Sequence, residues 1–146
     1  FIPSGRCHAI GAGCLIVEIQ QNSDTTYRVF DWNRTGLDGK PRALHIAESL
    51  ASIDFADHEP APARHDGETV VSCPLFKVER WSLDAPRTDE SSDGVIFTVL
   101  AGGVQCAGEK FSRGEFFLLP ATARDRVLTP LAPGTSLLRT TIPRTK

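Results

Sequence analysis

A small group of side chains near the start of this 146-residue chain could act on a polar molecule: His8, Glu18, Gln20, Asp24 and Arg28. A neutral imidazole is a natural metal ligand. A carboxylate whose pKa is raised by burial can move a proton, and a guanidinium stays charged and can fork onto two oxygens or a phosphate. The order Pro3-Ser4-Gly5-Arg6-Cys7-His8 suits a turn that delivers the histidine onto a following strand. Each residue also has a plainer reading. A lone histidine in a β-protein is more often packed or at the surface than a ligand. Glu18 and Gln20 at a strand end are ordinarily solvated, Asn22 to Thr26 suit a simple turn, and an arginine on a strand often snorkels or pairs with an acid. The residue types alone leave both readings open.

The elements needed to position these groups are short strands. Gly11-Ala12-Gly13 reads as a three-residue hairpin loop, which would pair Ile10 with Cys14 and His8 with Ile16. Side chains alternate along a strand, so His8, Ile16, Glu18 and Gln20 would share one face, as the lining of a polar cavity would. Leu15, Val17 and Ile19 would share the other, apolar face. Cys14 to Gln20 and Tyr27 to Phe30 are the strand candidates, with a turn at Asn22-Ser23-Asp24.

Asn33 to Pro41 reads as loop, and Leu44 to Ile53 as a short helix with Ile46, Leu50 and Ile53 on one side. His45, just ahead of it, reads as a capping or packing residue. A linker over 56–68 carries Pro60, Pro62, His58 and His65, both histidines expected in solvent. Strands are then expected at Val70 to Cys73, Phe76 to Trp81, Gly94 to Leu100, Glu115 to Pro120 and Ser136 to Ile142. Pro86 to Asp93 is a polar loop and Gly102-Gly103 a turn. Many short strands with glycine turns argue for a mainly β chain, a small antiparallel barrel or jelly roll. A weak repeat aligns Pro3 with Pro120 and sets His8 opposite Asp125.

The segment from Phe1 to Ile10 contains Pro3-x-Gly5-x-x-His8, which resembles the second metal-binding motif of cupins. More specifically, His8-Ala9-Ile10 followed by the run from Glu18 to Asp31 is similar to class I mannose-6-phosphate isomerases, and the similarity continues weakly through Pro41 to Ile46. This resemblance implies an aldose–ketose isomerase that interconverts mannose 6-phosphate and fructose 6-phosphate through an enediolate. It implies zinc as cofactor with His8 as one ligand, the others lying on strands before Phe1. It places Arg28 beside the metal in catalysis, with Glu18 as a candidate acid–base. Asp24, and with it Gln20, falls near the substrate. It further implies a cupin jelly-roll fold in which 1–55 are the end of a metal-binding barrel truncated at its N-terminus, with a short helix. The linker 56–68 would follow, then a second, metal-free barrel over 69–146. In that barrel Asp125, between Arg124 and Arg126, replaces the ligand. Phe1-Ile2-Pro3 looks like the end of a strand, so a fragment that is inactive alone is expected.

Composition sets outer bounds. The net charge of -2 gives no electrostatic case for nucleic acid or an anionic membrane surface. No apolar run approaches the roughly 20 residues that span a bilayer, and no signal peptide is visible. Cys7, Cys14, Cys73 and Cys106 form no C-x-x-C pair and sit among apolar neighbours. Buried thiols in a reducing, cytoplasmic setting are therefore expected. The sequence does not specify an oligomeric state, with a monomer favoured. The alternative function is a metal-free or metal-binding cupin module for sugar binding or regulation. Earlier strands bearing a Q/H-x-H pair and a glutamate would separate the two.

Overall fold

In the computed structural model the described residues are 1–23, 25–59 and 66–143. The chain divides into two compact units, Phe1–Pro62 and Ala63–Lys146.

The second unit is a two-sheet antiparallel β-structure. Its strands are β1 (Thr69–Ser72), β2 (Lys77–Leu83), β3 (Arg87–Thr88), β4 (Val95–Ala101), β5 (Gly103–Cys106), β6 (Glu109–Ser112), β7 (Phe116–Leu119), β8 (Val127–Pro130) and β9 (Thr135–Thr141). One sheet runs β1-β2-β9-β4-β7 and the other β3-β8-β5-β6. The alternation of β-branched and large apolar residues explains the layering. Val95, Phe97 and Val99 of β4 point inward while Ile96 is exposed, and Trp81 and Leu83 of β2 do the same beside exposed Ser82. Leu137 of β9, Val104 and Cys106 of β5, Leu119 of β7 and Leu128 of β8 close the core from both sheets. Phe117 stacks between Phe97 and Phe111, at centroid distances of 5.4 Å and 3.9 Å.

Every strand expected in this half is present within a residue or two of its expected ends. The hairpin of β5 and β6 is an addition. Its loop is Ala107-Gly108, both at positive φ (50° and 86°), as a two-residue hairpin turn requires. Alanine disguises that turn in the sequence. The expected loop Pro86 to Asp93 contains β3 and a buried acid, Asp89.

The first unit departs further from expectation. Among its described residues the one regular element is α1 (Ile46–Ser52), inside the expected helix. The apolar stripe proposed for that helix is not covered, since Ile46 and Leu50 are exposed and Ser49 is the buried residue. No strand forms over Cys14 to Gln20 or Tyr27 to Phe30 among the described residues. The Ala12-Gly13 turn is made, with Gly13 at φ 76°, but the ladder pairing His8 with Ile16 is not. An extended run becomes a strand only by pairing, and an isolated two-stranded hairpin is marginal in water. This unit offers that run no further strand, so Leu15 stays 84% exposed and Ile16 and Val17 are exposed with it.

Candidate functional site

The segment around His8 is held by the stretch that follows α1. Pro3 to Arg6 forms a turn closed by the Arg6 N–H on the Pro3 carbonyl (3.3 Å). Gly5, at φ 86°, allows the chain to pass close to Ser52 and receives the Asp54 N–H on its carbonyl (2.9 Å). Arg6 forks onto Asp57 through Nε and Nη2, at 2.6 Å and 2.9 Å. That hydrogen-bonded pair holds the Asp57 carboxyl below the usual carboxylate range. His8 itself is exposed. Its Nδ1 lies 3.0 Å from the Arg6 carbonyl, which acts as acceptor when Nδ1 carries the proton. That tautomer leaves Nε2 as the lone-pair nitrogen, the arrangement common in metal-bound histidines.

Arg28 is half-buried and tied to the other end of α1. Its N–H donates to His45 Nδ1 (3.3 Å) and its carbonyl accepts the His45 N–H (2.9 Å). Three residues on, Asp31 is buried and receives the guanidinium of Arg42 on both carboxylate oxygens. The Arg42 hydrogen bond, aided by the charges of Arg28 and Arg34, keeps the Asp31 carboxyl below its ordinary range. His45 thus spends its side chain on Arg28 and makes no side-chain cap on α1.

Glu18 and Gln20 are exposed, the Gln20 carboxamide reaching the Ser23 carbonyl (3.4 Å). Asp24 lies outside the described residues, as do both of the linker's prolines and His65. His58 is exposed. The first unit therefore ties His8 and Arg28 to opposite ends of one helix but does not form the expected cavity face with Glu18 and Gln20. Sequence reasoning read His45 as a capping or packing residue and not as the anchor of Arg28, and it missed the anchors Asp57 and Asp31, which sit far along the chain from what they hold. Their signal was charge complementarity with Arg6 and Arg42.

A zinc site needs more donors than the described residues bring together. Among the described residues no group of three or more His, Cys, Asp or Glu side chains gathers around a common point. His8 fits as one donor, and a complete coordination sphere does not fit.

In the second unit the position opposite His8 carries Asp125, which is exposed and accepts the Val127 N–H (3.0 Å). The repeat survives as a shared turn, because Ala123 N–H bonds the Pro120 carbonyl (3.0 Å) as Arg6 does that of Pro3. The charged centre of this unit lies elsewhere. Asp89, 1% exposed, is bonded by Arg126 and Arg139, and Arg139 also reaches Glu79 (2.6 Å). The cysteines depart from expectation in half the cases: Cys106 is buried and Cys73 half-buried, but Cys7 and Cys14 are exposed, because the strand that would have covered them does not form. Burial, and then Asp125, pushes the Cys106 thiol up. Among the described residues no helix is long and apolar enough to cross a membrane.

No family model matches the chain. Individual relatives do. The mannose-6-phosphate isomerase ManA of Bacillus subtilis is 35% identical over 135 residues, covering 82% of this chain and 42% of the relative. The mannose-6-phosphate isomerase of Streptococcus mutans is 36% identical over 135 residues, covering 85% and 43%. The crystal structure of the Bacillus subtilis mannose 6-phosphate isomerase superposes with a TM-score of 0.65 over 84% of this chain and 42% of that one, at 24% identity. That likeness and the antiparallel two-sheet topology agree with the mainly β, jelly-roll fold class. The chain spans about two fifths of the length of the curated relatives it matches, and over that share it belongs to the mannose-6-phosphate isomerase family.

Proposed function

We propose that this chain is the C-terminal part of a zinc-dependent aldose–ketose isomerase that interconverts mannose 6-phosphate and fructose 6-phosphate. The observation that carries the reading is the 35% identity to a protein named mannose-6-phosphate isomerase, sustained over 135 residues. The local geometry supports it, in that His8 is oriented through Nδ1 and Arg28 is fixed through its backbone.

The residues take the following parts. His8 is one zinc ligand, through Nε2, and the remaining ligands come from outside this chain. Glu18 takes the proton from C2 of mannose 6-phosphate and returns it to C1, while the hydroxyl proton passes from O2 to O1. Negative charge gathers on those oxygens in the enediolate, and Arg28 faces it with a permanent cation. A fixed group of this kind contributes on the order of a few kcal/mol to such a step. Gln20 and Asp24 contact the sugar. Glu18 is exposed in the first unit, so its acid–base role requires cover from the rest of the enzyme. Residues 1–55 then complete a metal-binding barrel, 56–68 link, and 69–146 form a metal-free barrel with a structural role. A cytoplasmic setting accords with four unpaired thiols.

The test is an assay with mannose 6-phosphate on this 146-residue chain and on a protein extended by the part of the relatives it lacks. The extended protein turns over and loses activity to a chelator, and the chain alone does not. Turnover by the chain alone, or sugar binding without turnover by the extended protein, overturns the reading.

A further inference from the structure

We infer that His45 is the positioning residue for Arg28, an inference that rests on Arg28 acting in the proposed isomerase. The two residues are joined at two points. The Arg28 N–H donates to His45 Nδ1 and the His45 N–H returns a bond to the Arg28 carbonyl, at 3.3 Å and 2.9 Å. For Nδ1 to accept, the imidazole is neutral with its proton on Nε2. The ring also packs against Tyr27, the neighbour of Arg28, at a centroid distance of 6.0 Å.

The rest of the loop reinforces this contact. Asp31 and Arg42 close its other end with a forked ion pair. Between them the Thr35 and Pro41 bridge and the Gly36 N–H on the Lys40 carbonyl (2.7 Å) draw the two sides together. His45 in turn receives the Ser49 N–H on its carbonyl (2.8 Å) and so belongs to the start of α1. Among the described residues of this unit no strand pairs with Arg28, so the imidazole does for its backbone what a neighbouring strand would otherwise do. A displacement of about 1 Å at a reacting group costs on the order of a hundredfold in rate, so a residue that fixes the arginine's backbone acts on kcat without touching substrate.

Four variants test the inference. In this chain, His45→Ala speeds hydrogen exchange at the Arg28 amide, whereas His45→Asn, whose Oδ1 stands in for Nδ1, keeps it slow. In the extended isomerase, His45→Ala lowers kcat about ten- to hundredfold with KM changed less than about twofold, and His45→Asn restores most of it. Wild-type kcat in His45→Ala, or equal loss in both variants with the Arg28 amide unchanged, overturns the inference. Should His45→Ala not fold, His45→Gln replaces it: its carboxamide sits one methylene too far to serve, and wild-type kcat there overturns the inference equally. Arg28→Ala separates the two levels. If it leaves kcat intact, the reading of Arg28 fails; if it lowers kcat and His45→Ala does not, the role of His45 fails.

Discussion

An imidazole tethered through Nδ1 to a neighbouring carbonyl differs from a free surface histidine. Its ring plane is set, and Nε2 points where the turn aims it. His8→Ala in the extended isomerase should therefore lower the zinc content measured by elemental analysis. An unchanged metal stoichiometry removes His8 from the ligand set. Arg28→Ala should leave zinc bound and reduce kcat by about a hundredfold or more; parallel loss of metal and activity would make Arg28 structural. The turn that carries His8 was legible because turn chemistry is local: proline, glycine and the histidine lie within six positions. The anchors were not, because the partners in Arg6–Asp57 and Arg28–His45 are 51 and 17 residues apart, and spacing along the chain carries no information about such pairs.

At the scale of elements, the second unit was readable because its strands are self-sufficient. Val95, Phe97 and Val99 alternate with exposed or half-buried neighbours, and the sheet that covers them is in the same unit. The same pattern at Leu15, Val17 and Ile19 misled, since periodicity records a tendency to pair and the pairing strand has to be supplied. Two side-chain details hold the sheets of the second unit together. Gly102 sits at φ 67°, and a Cβ there would collide with Thr135. The Thr135 hydroxyl is engaged in turn, lying 2.7 Å from the Ala132 carbonyl and accepting the Gly103 N–H at 3.4 Å. Gly102→Ala should cost about 2–4 kcal/mol, as backbone strain adds to overpacking. Denaturant unfolding measures it, and a loss below about 0.5 kcal/mol would show that the turn relaxes freely. Asp89 ties the segment after β3 to Arg126 and Arg139, with the Arg87 and Arg139 guanidiniums flanking Trp81 at 3.6 Å and 5.3 Å from its ring. Asp89→Ala leaves Arg126 without its carboxylate and Arg139 with Glu79 alone, and should cost about 3–5 kcal/mol.

For the molecule as a whole, the acid response has the same sign in both units. The carboxylates with shifted values are all lowered. For Glu79, burial pushes upward but the hydrogen bonds from Lys77 and Arg139 outweigh it; for Glu68 the Arg87 bond dominates. A lowered folded-state pKa means stability that is fully present above the ordinary glutamate value of 4.5 and lost as pH falls through the folded value. Thermal scans should show the second unit's melting temperature level near neutrality and falling below about pH 4.5, and a rise on acidification would contradict the assignment. Hydrogen exchange should be slowest in β4 and β9, which are central in their sheet, and fast from Ala9 to Ser23, which lacks ladder bonds.

That bare stretch has one more consequence. Cys14-Leu15-Ile16-Val17-Glu18-Ile19 is a six-residue window rich in β-branched and apolar side chains, with a single charge, no proline, and open backbone groups on both sides. Such windows self-stack into cross-β fibrils when nothing else satisfies them. By itself the chain carries its own aggregation seed, and in the proposed full-length isomerase the strands that pair with this window would also act as its gatekeeper. Val17→Lys should keep this chain dispersed under conditions where the wild type becomes turbid and binds an amyloid dye.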